Sequence, residues 1–96
     1  MPAMHERATI TFLTRPGCGL CAHARVDLQD LLEERARAGR VPARVRDVDI
    51  GGDEALLHRN LERIPVLVVG EAELPLAVSV RAMRAFLERT LDGDLA

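Results

Sequence analysis

The chain has no tryptophan, no tyrosine and no lysine among its 96 residues, and its only aromatic side chains are Phe12 and Phe86. So little ring surface argues against single-strand or RNA binding, where bases stack on aromatic platforms. The formal net charge of −2 gives no general attraction to nucleic acid or to an anionic membrane. No apolar run approaches the roughly 20 residues of a bilayer-spanning helix. The charged stretch Met1 to Arg7 leads only into Ile10 to Leu13, too short for the core of a signal peptide. A cytoplasmic protein with neither nucleic-acid nor membrane partners is expected. In that compartment lasting structural disulfides are rare. The two cysteines therefore point to redox chemistry or metal binding more than to a staple.

What is present suits a packed globule. Hydrophobic residues make up 48%, mostly Ala, Val and Leu, so the core is aliphatic. The length fits one domain, residues 1–96, with residues 1–6 as a loose tail. Charge is uneven: residues 1–46 carry eight Arg against five acids, and residues 47–96 carry five Arg against ten acids. This reads first as solvated surface. A mildly electropositive site that favours a thiolate is the sharper reading.

Ala8 to Leu13 alternates and is β-branched, which predicts a strand. Arg15-Pro16-Gly17 ends it. Gly19 to Ala38 has helical spacing, with Leu20, Ala24, Leu28, Leu31 and Leu32 on one stripe, and Gly39 stands where a cap glycine is expected. Val41 to Ile50 reads as a second strand, broken by Gly51-Gly52. Asp53 caps a short helix to about His58, with Leu56 and Leu57 inward. Pro65 opens a third strand, Val66 to Val69. Gly70 to Glu73 reads as a turn, and Leu76 to Val78 as an edge strand that tolerates Pro75. Ser79 caps a last helix with Val80, Met83, Phe86, Leu87 and Leu91 on its buried side. The order βαβαββα predicts an α/β fold, a four-stranded mixed sheet with helices on both faces.

Cys18-Gly19-Leu20-Cys21 stands at the first strand-to-helix junction. Both sulfurs lie on one turn, so a disulfide can form and break with little backbone movement. Cys18 lies at or next to the helix N-cap, where free N–H groups and the helix dipole favour negative charge. Cys21 lies inside the first turn and is expected to be more buried. Cys18 is thus the expected nucleophile and Cys21 the resolving thiol, with Arg15 as a further positive charge. A stapling role is weak because so small a loop restrains little chain. A zinc site needs about four ligands, and His5, His23 and His58 show no paired spacing. No metal ligands are assigned. Met83 reads as core. Asp47 and Asp49 read as solvated or capping, with a proton-shuttle role as the sharper alternative. Ile64-Pro65 is the second feature. A trans bond suits an edge position at the strand entrance, whereas a cis bond would leave backbone groups of Ile64 free to pair with a substrate strand, and the residues alone do not choose the isomer.

Thr11-Phe12-Leu13-Thr14-Arg15-Pro16-Gly17-Cys18-Gly19-Leu20-Cys21, Asp47-Val48-Asp49-Ile50 and Ile64-Pro65-Val66-Leu67 together resemble glutaredoxin-like proteins, over about residues 7 to 91. The resemblance implies the thioredoxin fold, a cis Pro65 beside the dithiol, and thiol–disulfide exchange on protein or small-thiol disulfides, restored by a cellular reductant. No tightly bound cofactor is expected, and Arg15, Ile64 and Pro65 are the expected substrate-binding residues. The chain departs from glutathione-using members, which commonly carry Pro-Tyr between the cysteines and Gly-Gly followed by Asp after the fourth strand. Here Gly19-Leu20 and Leu76-Ala77-Val78-Ser79-Val80-Arg81 stand instead. Glutathione stays a candidate reductant without an evident binding motif, and the likeness is nearest to short bacterial members. Two other functions use the same residues: a metal- or Fe–S-binding module, and a redox-inactive interaction domain.

Overall fold

The computed structural model describes residues 8–93, and the expected tail at residues 1–6 lies outside them. The elements are β1 (Ala8–Thr14), α1 (Gly19–Arg37), β2 (Ala43–Asp49), α2 (Glu54–Asn60), β3 (Val66–Val69), β4 (Ala72–Leu74) and α3 (Val80–Leu91), with a 3₁₀ turn at Ile50–Gly52. Their order in the sheet is β2-β1-β3-β4. β1 runs parallel to β2, with Ile10 beside Val45 and Leu13 beside Val48. It runs antiparallel to β3, with Leu13 beside Val66. A helix-length crossover permits the parallel pair, whereas β3 and β4 need only a tight turn. Gly70 supplies it with φ +59, the left-handed conformation that two-residue hairpin loops favour.

The period-two pattern of β1 sends its side chains to two cores. Ile10 and Phe12 join Leu28, Leu31, Leu67, Met83, Phe86 and Leu87 beneath α1 and α3. Leu13 joins Ile50 and Val66 on the opposite face, where Leu56 and Leu57 of α2 pack. The sheet therefore carries helices on both faces. Asp53 caps α2 by accepting the N–H groups of Ala55 and Leu56 at 2.9 and 3.1 Å. Ser79 caps α3 by accepting the Ala82 N–H at 3.1 Å. At the far end of the helix pair, Arg35 of α1 donates to Asp92 at 2.8 Å, and Arg40 donates to the same carboxylate at 2.8 Å. The Arg35 hydrogen bond holds the Asp92 carboxyl below the usual carboxylate range.

Several expectations need correction. The edge strand is Ala72–Leu74, not Leu76 to Val78. Pro75 ends this strand rather than sitting within it, since proline cannot donate to the ladder, and the next three residues form an irregular loop. Leu20 lies off the buried stripe of α1, which runs through Cys21, Ala24, Leu28 and Leu31. The stripe starts one residue later because Cys21 occupies its first inward position. Val80 is exposed, whereas Met83, Phe86 and Leu87 are buried. β2 is shorter than expected, since Ile50 enters the 3₁₀ turn, and α2 continues to Asn60.

Candidate redox site

The sheet brings three chain segments together at one end. β1 runs out at Thr14 into the loop Arg15 to Gly17, and α1 starts at Gly19. Because Leu13 pairs with Val66, the residues just before β3, Ile64 and Pro65, lie beside the end of β1. Because Leu67 pairs with Leu74, the chain leaving β4 passes Pro65 on its other side. There the Leu76 N–H donates to the Arg63 carbonyl at 2.7 Å, and the Ala77 N–H donates to the Pro65 carbonyl at 2.8 Å.

Cys18 is the N-cap of α1, and its Sγ accepts the backbone N–H of Cys21 at 3.1 Å. The two cysteines form a disulfide across a Cα–Cα distance of 5.2 Å. Their surroundings differ as the helix position dictates. Cys21 is 2% exposed within the α1–α3 core, and Cys18 is half-buried at its rim. An attacking reagent therefore meets Cys18 before Cys21. Arg15 is exposed in the loop before the dithiol, and the Cys18 N–H donates to its carbonyl at 3.3 Å. The Ile64–Pro65 peptide is cis, with Pro65 buried and Ile64 half-buried.

The backbone of Ile64 is not wholly free. Its N–H donates to the Asn60 carbonyl at 3.2 Å, extending the bonding of the last turn of α2. Among the described residues no backbone donor reaches the Ile64 carbonyl. Neither aspartate weighed as a proton shuttle sits beneath the dithiol. Asp47 is exposed and accepts from Arg25 at 2.9 Å, and Asp49 accepts the Gly51 N–H at 2.8 Å to cap the 3₁₀ turn. His23 is solvent-facing on α1, 3.8 Å from Asp27. His58 is exposed on α2, and His5 lies outside the described residues. Met83 is core, as its place on the apolar stripe suggested.

The sequence reading missed one part of this region. Ala77 is fully buried in the same core cluster as Cys21, with Cys18 and Ile64 at its margin, while Leu76 and Val78 on either side face outward. The available signal was Pro75, which ends a strand as readily as it occupies an edge.

A dithiol at the N-cap of the helix after a central strand, on a four-stranded mixed sheet, defines a thioredoxin-fold protein of the glutaredoxin-like type. The family model described as "Glutaredoxin-like domain (DUF836)" matches residues 9–93, and the chain belongs to this family. Among solved structures, the Northeast Structural Genomics target protein XcR50 from X. campestris is 31% identical. The match covers 83% of this chain and 96% of that one, with a TM-score of 0.64. A mutant thioredoxin from Halobacterium salinarum is 20% identical over 95% of this chain and 79% of its own, with a TM-score of 0.64. The germline-specific thioredoxin Deadhead from Drosophila melanogaster is 16% identical over 92% and 85%, with a TM-score of 0.59. The last two likenesses concern the fold alone. No curated protein matches the chain.

Proposed function

We propose that the protein is a dithiol–disulfide oxidoreductase in which Cys18 attacks and Cys21 resolves. The reading is supported above all by one observation: the paired cysteines straddle the surface at a helix N-cap, the outer one half-buried and the inner one 2% exposed. In the first step the Cys18 thiolate attacks one sulfur of a substrate disulfide. A Cys18–substrate disulfide forms, and the other substrate sulfur leaves as a thiolate. In the second step Cys21, having lost its proton to solvent, attacks the Cys18 sulfur. The Cys18–Cys21 disulfide forms and the remaining substrate sulfur leaves as a thiolate. Two electrons pass from the dithiol to the substrate. A cellular thiol reductant, glutathione or a second dithiol, returns them. No tightly bound cofactor is needed.

The N–H of Cys21 and the N-terminal end of α1 favour the thiolate form of Cys18. Arg15 adds positive charge at the mouth of the site. The Ile64 carbonyl and the face of Pro65 are the proposed contacts for an extended substrate segment, with the carbonyl as acceptor. Substrates are protein or small-thiol disulfides in a reducing compartment, which suits a cytoplasmic location.

The test is capture. A Cys21→Ser variant, incubated with cell extract, is expected to hold mixed disulfides on Cys18 that thiol reductant releases, and a Cys18→Ala variant is expected to hold none. Absence of trapping together with failure of the wild-type protein to reduce any offered disulfide overturns the proposal.

A further inference from the structure

Leu76 is the only non-glycine residue with positive φ among the described residues, at +51. This left-handed region brings Cβ against the backbone, so a bulky residue there is an outlier that glycine or asparagine would relieve. A buried side chain can offset such strain by packing. Leu76 does not, since it is 56% exposed. Its backbone is held firmly instead. The N–H donates to Arg63, the carbonyl accepts from the Val78 N–H at 2.7 Å, and the next residue is pinned to Pro65. A glycine would fit the same bonds without strain. The fold therefore gains nothing visible from the leucine side chain.

Its place suggests what does gain. Among the described residues seven large apolar side chains are exposed, and four of them, Leu20, Leu76, Val78 and Val80, belong to the dithiol turn or to the stretch from the end of β4 to the first residue of α3. Both segments lie at the end of the sheet that carries Cys18. Single exposed apolar residues need no explanation, but a group beside a reactive centre marks a contact surface. We propose that Leu76 is a specificity-determining residue, which receives an apolar side chain next to the cysteine of a disulfide in an extended protein segment. This rests on the oxidoreductase reading and narrows its substrate class. Glutathione, which has no large apolar side chain, would gain nothing from this contact.

The experiment compares two disulfide-bonded peptides that differ only in leucine or glycine beside the cysteine. For the wild-type protein, kcat/KM is expected to favour the leucine peptide by about tenfold, the scale of one good apolar contact. In Leu76→Gly and Leu76→Asn variants that preference is expected to fall to within about twofold, mainly through KM. Both variants are expected to melt at or above the wild-type temperature, because they relieve the left-handed strain. An unchanged preference in either variant, or a lowered melting temperature in both, overturns the proposal while leaving the oxidoreductase reading intact. A wild-type protein that reduces neither peptide nor any small disulfide overturns both.

Discussion

Replacing Cys21 by serine isolates Cys18 as a lone thiol while keeping the backbone N–H that reaches its sulfur at 3.1 Å. Two effects act on the thiolate there. The N-terminal dipole of α1 contributes about 0.3–1 kcal/mol, and a hydrogen bond to a charged acceptor adds a contribution of similar or larger size. The two overlap, because the donor is itself one of the unpaired N–H groups that make up the dipole. Together they amount to about 1–2 kcal/mol, which multiplies the thiolate population by about 5–30. A free thiol is only a few per cent ionised near pH 7, so most of that gain is available. A more stable thiolate is also a weaker nucleophile, and with a Brønsted coefficient of about 0.4–0.5 roughly half of the gain is lost on a logarithmic scale. The net expectation is alkylation by iodoacetamide about two to five times faster than a short unstructured cysteine peptide near pH 7. Mass spectrometry of timed, quenched samples measures it. Alkylation no faster than the peptide refutes the N-cap argument. So does a Cys18→Ser variant whose Cys21, buried at 2% exposure, reacts faster than Cys18 does in Cys21→Ser.

Two further outcomes concern the scaffold. Leu28 is fully buried at the centre of the α1–α3 core, so Leu28→Ala is expected to cost about 2–5 kcal/mol, read as a lowered denaturant midpoint with an unchanged slope. Asp92 gives a pH dependence. Its carboxyl is held below the ordinary value of 3.8 by the Arg35 hydrogen bond, so the folded state binds the proton less readily than the unfolded one. Its contribution to stability is complete above that ordinary value and is lost as pH falls through the lowered folded value. Asp92→Asn is therefore expected to destabilise by about 1 kcal/mol at neutral pH, with the difference from wild type shrinking towards zero in acid. A difference that stays constant down to about pH 2 contradicts the assignment.

The parts of the structure legible in the sequence are those where one local signal has one physical meaning. The alternation of Ile10 and Phe12 has the burial its spacing implies. The apolar run Val66 to Val69 forms the expected strand, with Val66 and Leu67 buried and Val68 and Val69 half-buried. Asp53 and Ser79 cap the helices their chemistry predicts. The cysteine spacing likewise puts Cys18 at or next to the N-cap and Cys21 within the turn, and Cys18 is the N-cap itself. The misplacements arose where two meanings compete. Pro75 can occupy a strand edge or end a strand, and only the pairing of Leu67 with Leu74 decides. The Ile64 N–H could not be assigned from sequence, because its partner, the Asn60 carbonyl, depends on where the short helix α2 stops. Helix ends are the least sharply encoded boundaries.

The remaining misplacements share a location. Leu20 and Val80 each fit an apolar stripe by spacing, yet both are exposed, and Leu76 is both exposed and left-handed. Local preference and global fold usually agree in natural proteins, and departures gather at functional sites. Here the three departures fall in the dithiol turn, in the loop after β4 or at the first residue of α3, at the sheet end where Cys18 meets solvent. Elsewhere an apolar side chain left in water would merely forgo burial. Beside Cys18 it stays available to an incoming chain, so these three departures coincide with the surface that the proposed disulfide substrate would approach.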